Sequence, residues 1–572
     1  MDMKTRVATR IADALLTLSP ELDMAAATVR GLLEVPPDSA MGDYAFPCFA
    51  LAKTLRRAPA MIAQTVREAL DAAAAPELAR VENVGGYVNC FVAVAALAQE
   101  VVTAVLDAPG AWGATAQGAG EAVCLDYSSI NIAKRFHIGH LSTTMLGHAL
   151  RRIYTHLGYN AVGINHLGDW GTQFGKMICA YKRWGTREEV ESGGVDALTA
   201  LYVRFHDEAE KDAALEDEGR AWFKRIEDGD EEALAIFNWF KDVTLRDAAR
   251  VYDLLGVTFD SYAGESFYID KMDRVVNELR EKNLLVESQG AWVVDLEPYK
   301  MPPLLILKGD GATLYATRDL AAALYRHDTY HFAKSLYVVA YQQDLHFQQI
   351  FKAIELMGYP WHAQMEHVAF GMVSYEGQTL STRKGHIVYL DELLQRATEK
   401  ALAIIEEKSP GLPDKPEVAR QVGIGAVVYA VLQNNRIKDV DFWWDRMLNF
   451  EGETGPYVQY THARCCSVMR KAPAALAAPD WHALEDDEAK QVLLLLSRFP
   501  DVVQEAALRN EPSMITRHVT QLAQAYNKFY YEHRILDDAD TIVAARVKLT
   551  DAVRDVIRTG LYLIGVEAPE RM

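Results

Sequence analysis

Apolar residues recur along this chain with two different periods, and each change of period marks a new segment. Near the N-terminus, Val7, Ile11, Leu15 and Leu16 recur at the spacing of one helical face. Further on, "VENVGGYVNCFV" has a Gly-Gly pair followed by alternating apolar and polar residues, which predicts a turn leading into a strand. We therefore expect residues 1–117 to form an α+β unit that ends in an Ala- and Gly-rich linker.

In residues 118–394 short apolar strands alternate with helices. The strand candidates are "AVCLDYSS", "NAVGIN", "SLYVVAY" and "HVAFGMV", and the amphipathic stretch "HLSTTMLGHALRRIY" lies between the first two. Alternation of this kind predicts a Rossmann-type, doubly wound parallel sheet. A charged helical stretch at about 182–257 interrupts the pattern, and we interpret it as an insertion into the sheet.

Beyond residue 395 strand signals disappear and only long amphipathic stretches remain. We expect residues 395–450 to be a helical connecting segment and residues 451–572 to form an all-α bundle. The predicted fold class is thus α/β, with an α+β unit before the parallel sheet and a helical bundle after it.

Composition narrows the kind of protein. A chain of 572 residues exceeds what one hydrophobic core supports, and half of its residues are apolar, as in globular proteins. The N-terminus lacks the residue order of a secretory signal, and no uncharged apolar run approaches the ~20 residues that span a bilayer. These features predict a cytoplasmic protein without a membrane segment.

Net charge and cysteine content indicate which partners and metals to expect. A formal net charge of −20 repels polyanions and argues against DNA as a partner, although a large acidic protein can still present a local basic face. The six cysteines are scattered, with no C-x-x-C pair and no histidine at zinc spacing. We therefore expect reduced thiols and neither zinc nor another bound metal.

The segment from Asp126 to Leu150 holds the strongest candidate chemistry. His137 and His140 flank Gly139 at the point where a predicted strand gives way to a helix. A helix N-terminus offers unpaired N–H groups and a partial positive charge, which suit phosphate, and a glycine lets a nucleotide approach the backbone. The H-x-G-H tetrapeptide alone is weak evidence, because helical histidines more often pack in a core or face solvent.

A second polar segment, "GQTLSTRKGHIV", follows the last predicted strand of the sheet. Its residues Ser381, Thr382, Arg383 and Lys384 are of the types that surround a triphosphate with hydroxyls and cations. Such a loop considered alone is more often a solvated turn.

Together these segments resemble the "HIGH" signature and a degenerate "KMSK" loop of class I aminoacyl-tRNA synthetases, in the family's order. "NHLGDWGTQFG", "GDGATLYATRDLAAALYR", "QQDLHF", "NFEGETGPYVQYTHAR" and "GVEAPERM" are similar, more specifically, to arginyl-tRNA synthetases. The resemblance covers nearly the whole chain. It implies an arginine–tRNA ligase that activates L-arginine with ATP and Mg²⁺ and transfers it to the 3′-terminal ribose of tRNA(Arg) in translation.

The resemblance also implies roles for particular residues. Arginine needs anionic partners for its guanidinium and acceptors for its α-ammonium. Tyr315 and Asp319 would recognise the guanidinium, while Asp126, Asn131 and Gln343 would hold the other polar groups. The implied ATP site comprises His137, Gly139, His140, Ser381, Thr382 and Lys384, and the implied catalytic groups are His137, His140, Lys134, Arg383 and Lys384.

The sequence departs from the family's pattern at several positions. Ile130 and Arg135 stand in place of two prolines, Ser142 in place of the arginine after "HIGH", and Thr379 with Leu380 in place of the opening Lys-Met of the loop. In this family a lysine just before "HIGH" is thought to replace the missing loop lysine, and Lys134 occupies that position.

For tRNA, the resemblance implies an anticodon-binding bundle and an N-terminal unit that contacts the tRNA elbow. The candidate contacts interleave rings with cations, a combination that stacks unpaired bases and holds phosphates: Tyr457, Tyr460, Arg464, Tyr526 and Lys528. The competing interpretation makes these tyrosines bundle core and the cations a solvated face. A monomer is expected.

Two other functions stay open at this point. The chain could be a paralogue with a specialised biosynthetic or resistance role, for which the substituted ATP motifs are the support. It could also be a nonenzymatic tRNA-binding derivative. Retention of both histidines, Lys134, Asp319 and Gln343 disfavours the second alternative, because a pure binding module does not need them.

Overall fold

The computed structural model describes residues 3–19, 22, 24–73, 75–309, 314–379 and 388–572. Its helices are α1 (Met3–Leu18), α2 (Ala26–Leu32), α3 (Ala52–Leu55), α4 (Pro59–Ala72), α5 (Val94–Asp107), α6 (Leu141–His156), α7 (Thr172–Trp184), α8 (Arg187–Ala209), α9 (Ala214–Glu227), α10 (Glu231–Leu255), α11 (Met272–Glu281), α12 (Tyr315–Tyr330), α13 (Asp344–Leu356), α14 (Leu390–Lys408), α15 (Lys415–Leu432), α16 (Trp444–Met447), α17 (Gly455–Lys471), α18 (Asp487–Leu508), α19 (Ser513–Glu532) and α20 (Asp540–Leu563).

The strands are shorter than the helices and belong to several sheets. They are β1 (Tyr44–Pro47), β2 (Leu78–Val84), β3 (Tyr87–Val92), β4 (Ala122–Asp126), β5 (Asn160–Ile164), β6 (Leu285–Ser288), β7 (Ala291–Val294), β8 (Leu304–Leu307), β9 (Lys334–Tyr337), β10 (Met365–His367), β11 (Val373–Tyr375), β12 (Gln378–Thr379) and β13 (Val440–Phe442).

The N-terminal part combines helices with an antiparallel sheet of order β1-β3-β2. Val7, Ile11 and Leu15 of α1 are fully buried, as their helical spacing predicts, whereas Leu16 is half exposed. The predicted Gly-Gly turn leads into the predicted strand, which is β3, and connects it to β2, a strand that was not predicted. Strand β1 was not predicted, because its four residues end in a proline and lack a clear alternation.

The central sheet is parallel, with strand order β10-β9-β4-β5. Strand β4 pairs with β5 on one side and with β9 on the other. Successive strands are therefore added first on one side of β4 and then on the other, which makes β4 the switch point of the sheet. This arrangement, together with the helical bundle, confirms the predicted fold class. Ligands of doubly wound sheets bind at such a switch point, outside the carboxyl ends of the strands.

The charged stretch predicted as an insertion forms helices α8, α9 and α10, which pack with α7 beside the sheet. Phe237 and Phe240 of α10 are buried in the main core. These helices therefore have apolar faces that pack against α7 and the main core.

Two expectations about strands are wrong. "HVAFGMV" is mostly irregular, because β10 ends at His367 and β11 begins only at Val373. The segment 395–450 is not entirely helical, since β13 pairs in parallel with β11. A further antiparallel sheet of order β6-β7-β8 went unpredicted. Strands of three or four residues carry too few positions for a period of two to stand out.

The C-terminal part is a bundle in which α17, α18, α19 and α20 pack together. Its core continues into the core of the central sheet through α6, whose Met145 side chain reaches Gly565. The six cysteines are buried and free, in agreement with the expected reduced thiols. Among the described helices, none combines the length and the apolar content that crossing a bilayer requires.

Candidate active site

The candidate site lies where strands β4, β5 and β9 end. Asp126 is the last residue of β4, and it pairs in register with Ile164 of β5 and Tyr337 of β9. The chain leaving β4 carries the two histidines to the start of α6, and the chain leaving β9 carries Gln343 to the start of α13. The predicted residues after the two strands therefore meet at the switch point.

The segment between β4 and α6, which we name the histidine loop (residues 127–140), has an unusual backbone. Ser128, Ser129 and Ala133 have φ angles of 69°, 47° and 60°. Left-handed backbone at residues other than glycine is costly, and it persists only where surrounding contacts fix it. The loop must therefore be held from outside.

Helix α10 holds the histidine loop through two side chains. The Tyr252 hydroxyl lies 2.8 Å from Ser128 Oγ and accepts a hydrogen bond from Asn165 Nδ2 at 2.9 Å. Thr244 Oγ1 accepts from the Ala133 N–H at 2.9 Å. Tyr252, Ser128 and Thr244 are all buried, so these hydrogen bonds are expensive to lose.

The other side of the loop is tied to α6 and β9. Thr143 Oγ1 accepts from the Ser128 N–H at 3.0 Å and donates to the Val338 carbonyl at 2.7 Å. Gly147 makes room for the Tyr127 ring, because a Cβ at that position would lie 2.1 Å from it. The histidine loop is thus fixed by three different elements before any ligand arrives.

His137 and His140 form a compact pair whose ring centroids are 4.0 Å apart. His137 Nδ1 accepts from the Gly139 N–H at 3.1 Å, and the His137 N–H points at His140 Nδ1 at 3.2 Å. The Gly139 N–H fixes His137 Nδ1 as an acceptor; His140 Nδ1 also lies 3.3 Å from the His137 carbonyl, and we assign it the shorter contact, so that the proton of each neutral ring is placed on Nε2. Both Nε2–H groups are then available as donors.

Burial keeps the histidine pair uncharged at neutral pH. Burial, with His137 close by, lowers the pKa of His140 to about 3. Burial, and next the charge of Lys134, lowers the pKa of His137 as well. The pair therefore supplies neutral hydrogen-bond donors, and the positive charge of the loop comes from the exposed side chain of Lys134.

The chain returns to the histidine loop directly after the predicted phosphate loop. Tyr389 forms an antiparallel bridge with His137, and the Ile138 N–H donates to the Val388 carbonyl at 3.0 Å. Ser381, Thr382, Arg383 and Lys384 lie outside the described residues. What the structure gives is the carboxyl end of their loop, beside the histidines.

Arg135, which stands where the family commonly has proline, joins these two segments. Its guanidinium carbon lies 3.9 Å from the centroid of the Tyr389 ring, and its Nη2 pairs with Asp391 at 2.8 Å and Glu392 at 3.0 Å. The substitution therefore creates a contact between the histidine loop and the start of α14. A proline could not form it.

The predicted arginine pocket lies at the N-terminal end of α12. Tyr315 is the first residue of that helix, and Asp319 follows one turn later on the same face, as the Tyr-x-x-x-Asp spacing predicts. Asp319 Oδ2 lies 2.6 Å from His346 Nε2. We name Glu265, Arg318, Asp319 and His346 the α12 cluster.

Glu265, which was not predicted as a site residue, also belongs to this cluster. Its Oε2 is 3.3 Å from Arg318 Nη1, and the Arg318 guanidinium lies 4.7 Å from the Tyr315 ring centroid. Burial raises the pKa of Glu265 to about 7, against the opposing charge of Arg318 and with Asp319 adding to the rise. The cluster therefore contains an acid that titrates near neutral pH.

The segment "NHLGDWG" connects the cluster to α10. Asp169 is fully buried, accepts from the Ser266 N–H at 2.8 Å and Oγ at 2.7 Å, and pairs with Lys241 Nζ at 2.6 Å. Trp170 packs edge-on against Phe223 and Phe237. The contacts of Asp169 and Trp170 are thus with other protein groups, which fix this segment beside the α12 cluster.

The remaining predicted arginine contacts divide by exposure. Asn131 and Gln343 are exposed at the sheet edge, and the Asn131 side chain lies against Gly168, where a Cβ would be 2.3 Å from its Oδ1. Asp126 is buried and already accepts from Ser129 Oγ at 2.8 Å. The structure thus brings the predicted residues to one edge of the sheet but gives Asp126 an internal partner.

In the C-terminal bundle, three of the predicted tRNA contacts are accessible and close together. The Arg464 guanidinium carbon lies 5.0 Å from the Tyr460 ring centroid, and Asn527 donates to the Tyr457 hydroxyl at 3.0 Å. Two exposed rings that were not predicted, Tyr530 and Tyr531, lie one turn after Asn527 on α19.

Tyr526 is not accessible, and its assignment as a tRNA contact is wrong. Its ring is 0% exposed in the bundle core, where its hydroxyl lies 3.2 Å from Thr550 Oγ1. Ile515, Val519 and Leu522 precede it at helical spacing and are also buried. The apolar stripe of α19 therefore includes this tyrosine.

Lys528 lies beside the one set of three metal-ligand side chains found close together in the described part of the chain. That set is Asp486, Glu488 and His533. Asp486 caps α18 by accepting from the Ala489 N–H, and Glu488 pairs with Lys528 Nζ at 3.0 Å. Because both acids already have partners, we assign no metal to this set.

Three family models match the chain. Residues 4–92 match the arginyl tRNA synthetase N terminal domain, residues 101–444 match the catalytic domain of class I (R) tRNA synthetases, and residues 458–572 match the DALR anticodon binding domain. The catalytic model alone covers more than half of the chain.

Relatives match at full length. The chain is 52% identical over 542 residues to an arginine–tRNA ligase of Alkaliphilus metalliredigens, covering 95% of each chain. It is 52% identical over 551 residues to one of Clostridioides difficile, covering 96% of this chain and 97% of that one. The arginyl-tRNA synthetase structure of Thermus thermophilus superposes with a TM-score of 0.83 at 27% identity, covering 99% of both chains.

Proposed function

The chain belongs to the arginyl-tRNA synthetase family, and from that premise we propose that it is an arginine–tRNA ligase that forms arginyl-adenylate and charges tRNA(Arg) in translation. The observation that supports the proposal is that two walls of different chemistry, the histidine loop and the α12 cluster, lie at the same switch point. Neutral histidine donors lie on one wall, and acidic groups suited to a guanidinium lie on the other.

In the first step a carboxylate oxygen of arginine attacks the α-phosphorus of ATP. The new O–P bond gives arginyl-adenylate, and the bond to pyrophosphate breaks. No protein group needs to form a covalent bond, so catalysis consists of positioning and charge stabilisation. The Nε2–H groups of His137 and His140 donate to phosphate oxygens, Gly139 leaves space for the nucleotide, and Mg²⁺ accompanies ATP.

The leaving pyrophosphate needs cations near the histidine loop. Lys134 is exposed three residues before His137, and its flexible ammonium can reach the phosphate-binding end of the loop. Arg383 and Lys384, with Ser381 and Thr382, complete this side of the ATP site in the proposal. In the second step a ribose hydroxyl of the tRNA 3′ end attacks the arginyl carbonyl, and AMP leaves.

Arginine is selected by charge. Its guanidinium contacts Asp319 and the Tyr315 hydroxyl. Asp126, Asn131 and Gln343 bind the polar groups at the other end of the substrate, where the α-ammonium and the carboxylate lie. Asp319 already holds His346 at 2.6 Å, and each carboxylate oxygen has more than one acceptor site, so the pair orients the acid that the substrate uses. Lysine presents a point charge without the planar fork and fits this site less well.

The proposed tRNA contacts lie at both ends of the molecule. Tyr457, Tyr460, Arg464 and Lys528 offer rings and cations to the anticodon loop, and the N-terminal unit contacts the elbow. The proposal further comprises a cytoplasmic monomer with a role in translation. Domain limits are proposed at residues 117/118, 394/395 and 450/451, with the insertion at 182–257.

The test is a charging assay with purified protein, labelled arginine, ATP, Mg²⁺ and total tRNA. We expect acid-precipitable label that depends on ATP and tRNA. Arginine-dependent pyrophosphate exchange is expected to need tRNA, because in this family the 3′ end completes the site by induced fit. Absence of charging with every tRNA fraction would contradict the proposal, and exchange without charging would favour a specialised paralogue.

A further inference from the structure

A buried arginine lies behind the predicted arginine pocket. Arg326, in the C-terminal half of α12, has a side chain that is only 1% exposed. Its Nη2 donates to Asp126 Oδ2 at 2.8 Å, which joins α12 to the end of β4. A guanidinium is almost never buried without an ionised partner, so the two residues form one unit.

Side chains from several elements surround the pair of Arg326 and Asp126. His166, just after β5, places Nδ1 3.3 Å from Arg326 Nη2, and the Tyr337 ring centroid of β9 lies 5.4 Å from the guanidinium carbon. Two further groups, Tyr268 before α11 and Cys124 on β4, interact electrostatically with Arg326. Asp126 is the partner that supplies a full negative charge at this contact.

The unit gives Asp126 a defined state and orientation. One carboxylate oxygen accepts from Arg326 and the other from Ser129 Oγ at 2.8 Å, within the histidine loop. Burial acts to raise the pKa of Asp126, but the charge of Arg326, together with His166 and Ser129, outweighs it and lowers that pKa below its ordinary value. Without Arg326, burial would favour the protonated acid.

The position of Arg326 on α12 relates it to the guanidinium site. Arg326 follows Asp319 by seven residues, which is two helical turns along the same face. One helix thus carries the acid for the substrate's guanidinium and the countercharge of the acid at β4. Both ends of a bound arginine are therefore set from the same rigid element.

We propose that Arg326 is a positioning residue of the arginine site: it holds Asp126 as an oriented carboxylate whose remaining lone pairs receive the α-ammonium of arginine. The proposal rests on the proposed function. Each carboxylate oxygen accepts two hydrogen bonds, so one acceptor site per oxygen remains after Arg326 and Ser129 are served. The 9% of the Asp126 side chain that is exposed is the part that a substrate meets.

The test follows the arginine KM of Arg326→Gln against pH, in pyrophosphate exchange with tRNA present. In this variant Asp126 becomes a buried acid without its countercharge, so its pKa rises and the protonated form is favoured more as pH falls. We expect the ratio of the variant's KM to the wild-type KM to be about tenfold or more at pH 6.5 and to shrink towards pH 9. Taking the ratio cancels titrations that both proteins share, including that of Glu265.

Two companion variants separate positioning from mere structural support. Arg326→Lys keeps the charge, and its ratio should stay within a few fold at all pH values. Asp126→Asn/Arg326→Gln has no carboxylate, so its ratio should be independent of pH and no larger than that of Asp126→Asn alone. If thermal unfolding shows that Arg326→Gln is not folded, the comparison of the double variant with Asp126→Asn alone tests the role of Arg326.

The inference is overturned if the Arg326→Gln ratio is the same at every pH, or if only the unfolding temperature falls while the KM is unchanged. It is also overturned if removing Arg326 raises the KM further in the Asp126→Asn background. Wild-type protein is assayed beside the variants. Failure of the wild type to charge tRNA refutes the proposed function, whereas normal charging with a pH-independent ratio refutes only the role of Arg326.

Discussion

The two walls of the candidate site are built on opposite principles. The histidine loop is strained, its two histidines are neutral, and its buried polar atoms are paired with side chains of α10 and α6. The α12 cluster is helical, partly exposed and charged, and its acids are paired with Arg318 and His346. The comparison indicates that the first wall works by fixed geometry and the second by charge.

This difference matches what each wall has to bind. Phosphate oxygens carry spread-out charge and accept from many donors, so neutral N–H groups in fixed places suffice once one cation is near. A guanidinium carries its own positive charge and must be distinguished from other side chains, so the protein needs acids held at defined positions. We therefore expect substitutions on the two walls to affect different kinetic constants.

The largest expected effect comes from the one flexible charge of the histidine wall. Lys134→Ala should lower the single-turnover rate of adenylate formation by about a hundredfold or more, the scale for one preorganised electrostatic contact. The arginine KM should change much less. Lys384→Ala, measured in parallel, is the comparison: near-normal activation in Lys134→Ala with collapse in Lys384→Ala would place the catalytic cation in the loop.

The next effect belongs to the charged wall. Asp319→Asn should raise the arginine KM about thirtyfold, since truncating one partner of a charge pair costs ~2 kcal/mol or more. The rate at saturating arginine should fall only slightly. Asp328→Asn is the matched control, because this acid lies on the same helix but pairs with Arg274 away from the pocket. Equal KM values for Asp319→Asn and wild type would remove Asp319 from the pocket.

A smaller effect tests whether geometry governs the histidine wall. Tyr252→Phe keeps the ring but removes the hydroxyl that contacts Ser128 and Asn165, and it should slow adenylate formation about tenfold at unchanged arginine KM.

The control for that variant is Tyr154→Phe. Its buried hydroxyl donates to the Ala507 carbonyl at 2.9 Å and Asn510 Oδ1 at 2.8 Å, away from the loop. Both variants should lose ~1–2 kcal/mol of unfolding free energy. If both slow activation equally, the Tyr252 effect reflects general destabilisation and the comparison of the walls loses its basis.

The smallest effect is a difference in pH dependence. Glu265, with a pKa of about 7, loses its proton as pH rises from 6 to 8 and adds negative charge near the guanidinium, so the arginine KM should fall about threefold to fivefold over that range. His140, with a pKa of about 3, stays neutral throughout, so the activation rate at saturating arginine should show no histidine titration. Glu265→Gln should abolish the KM trend, and a trend that persists in it would assign the titration elsewhere.

Local sequence patterns predict the candidate binding residues of both walls better than the residues that support them. A few neighbouring residues predict the strand-to-helix transition at His137 and His140. Equally short spacing predicts that Tyr315 and Asp319 share a face of α12. The supports of these residues are not predicted, because Tyr252 and Thr244 reach the loop from α10, more than a hundred residues later in the chain. Tertiary contacts of this kind leave no periodic signal.

Two residues did carry a signal that periodicity could have revealed. Arg326 is a charged residue that ends the apolar run "LAAALY" on the face of Asp319, which is unusual unless it is paired. Tyr526 continues the buried stripe of α19, which distinguishes it from the exposed Tyr530 and Tyr531. In both cases the helical face, more than the residue type, decides the role.

Citrulline tests most directly whether the charged wall selects arginine by its charge. Citrulline has nearly the shape of arginine but carries a neutral urea group in place of the guanidinium. In pyrophosphate exchange with tRNA present, we predict that wild-type protein prefers arginine over citrulline by about a thousandfold or more in kcat/KM, because the neutral urea group forms no ion pair with Asp319 and replaces a donor with an acceptor oxygen. Comparable exchange with citrulline would contradict the account.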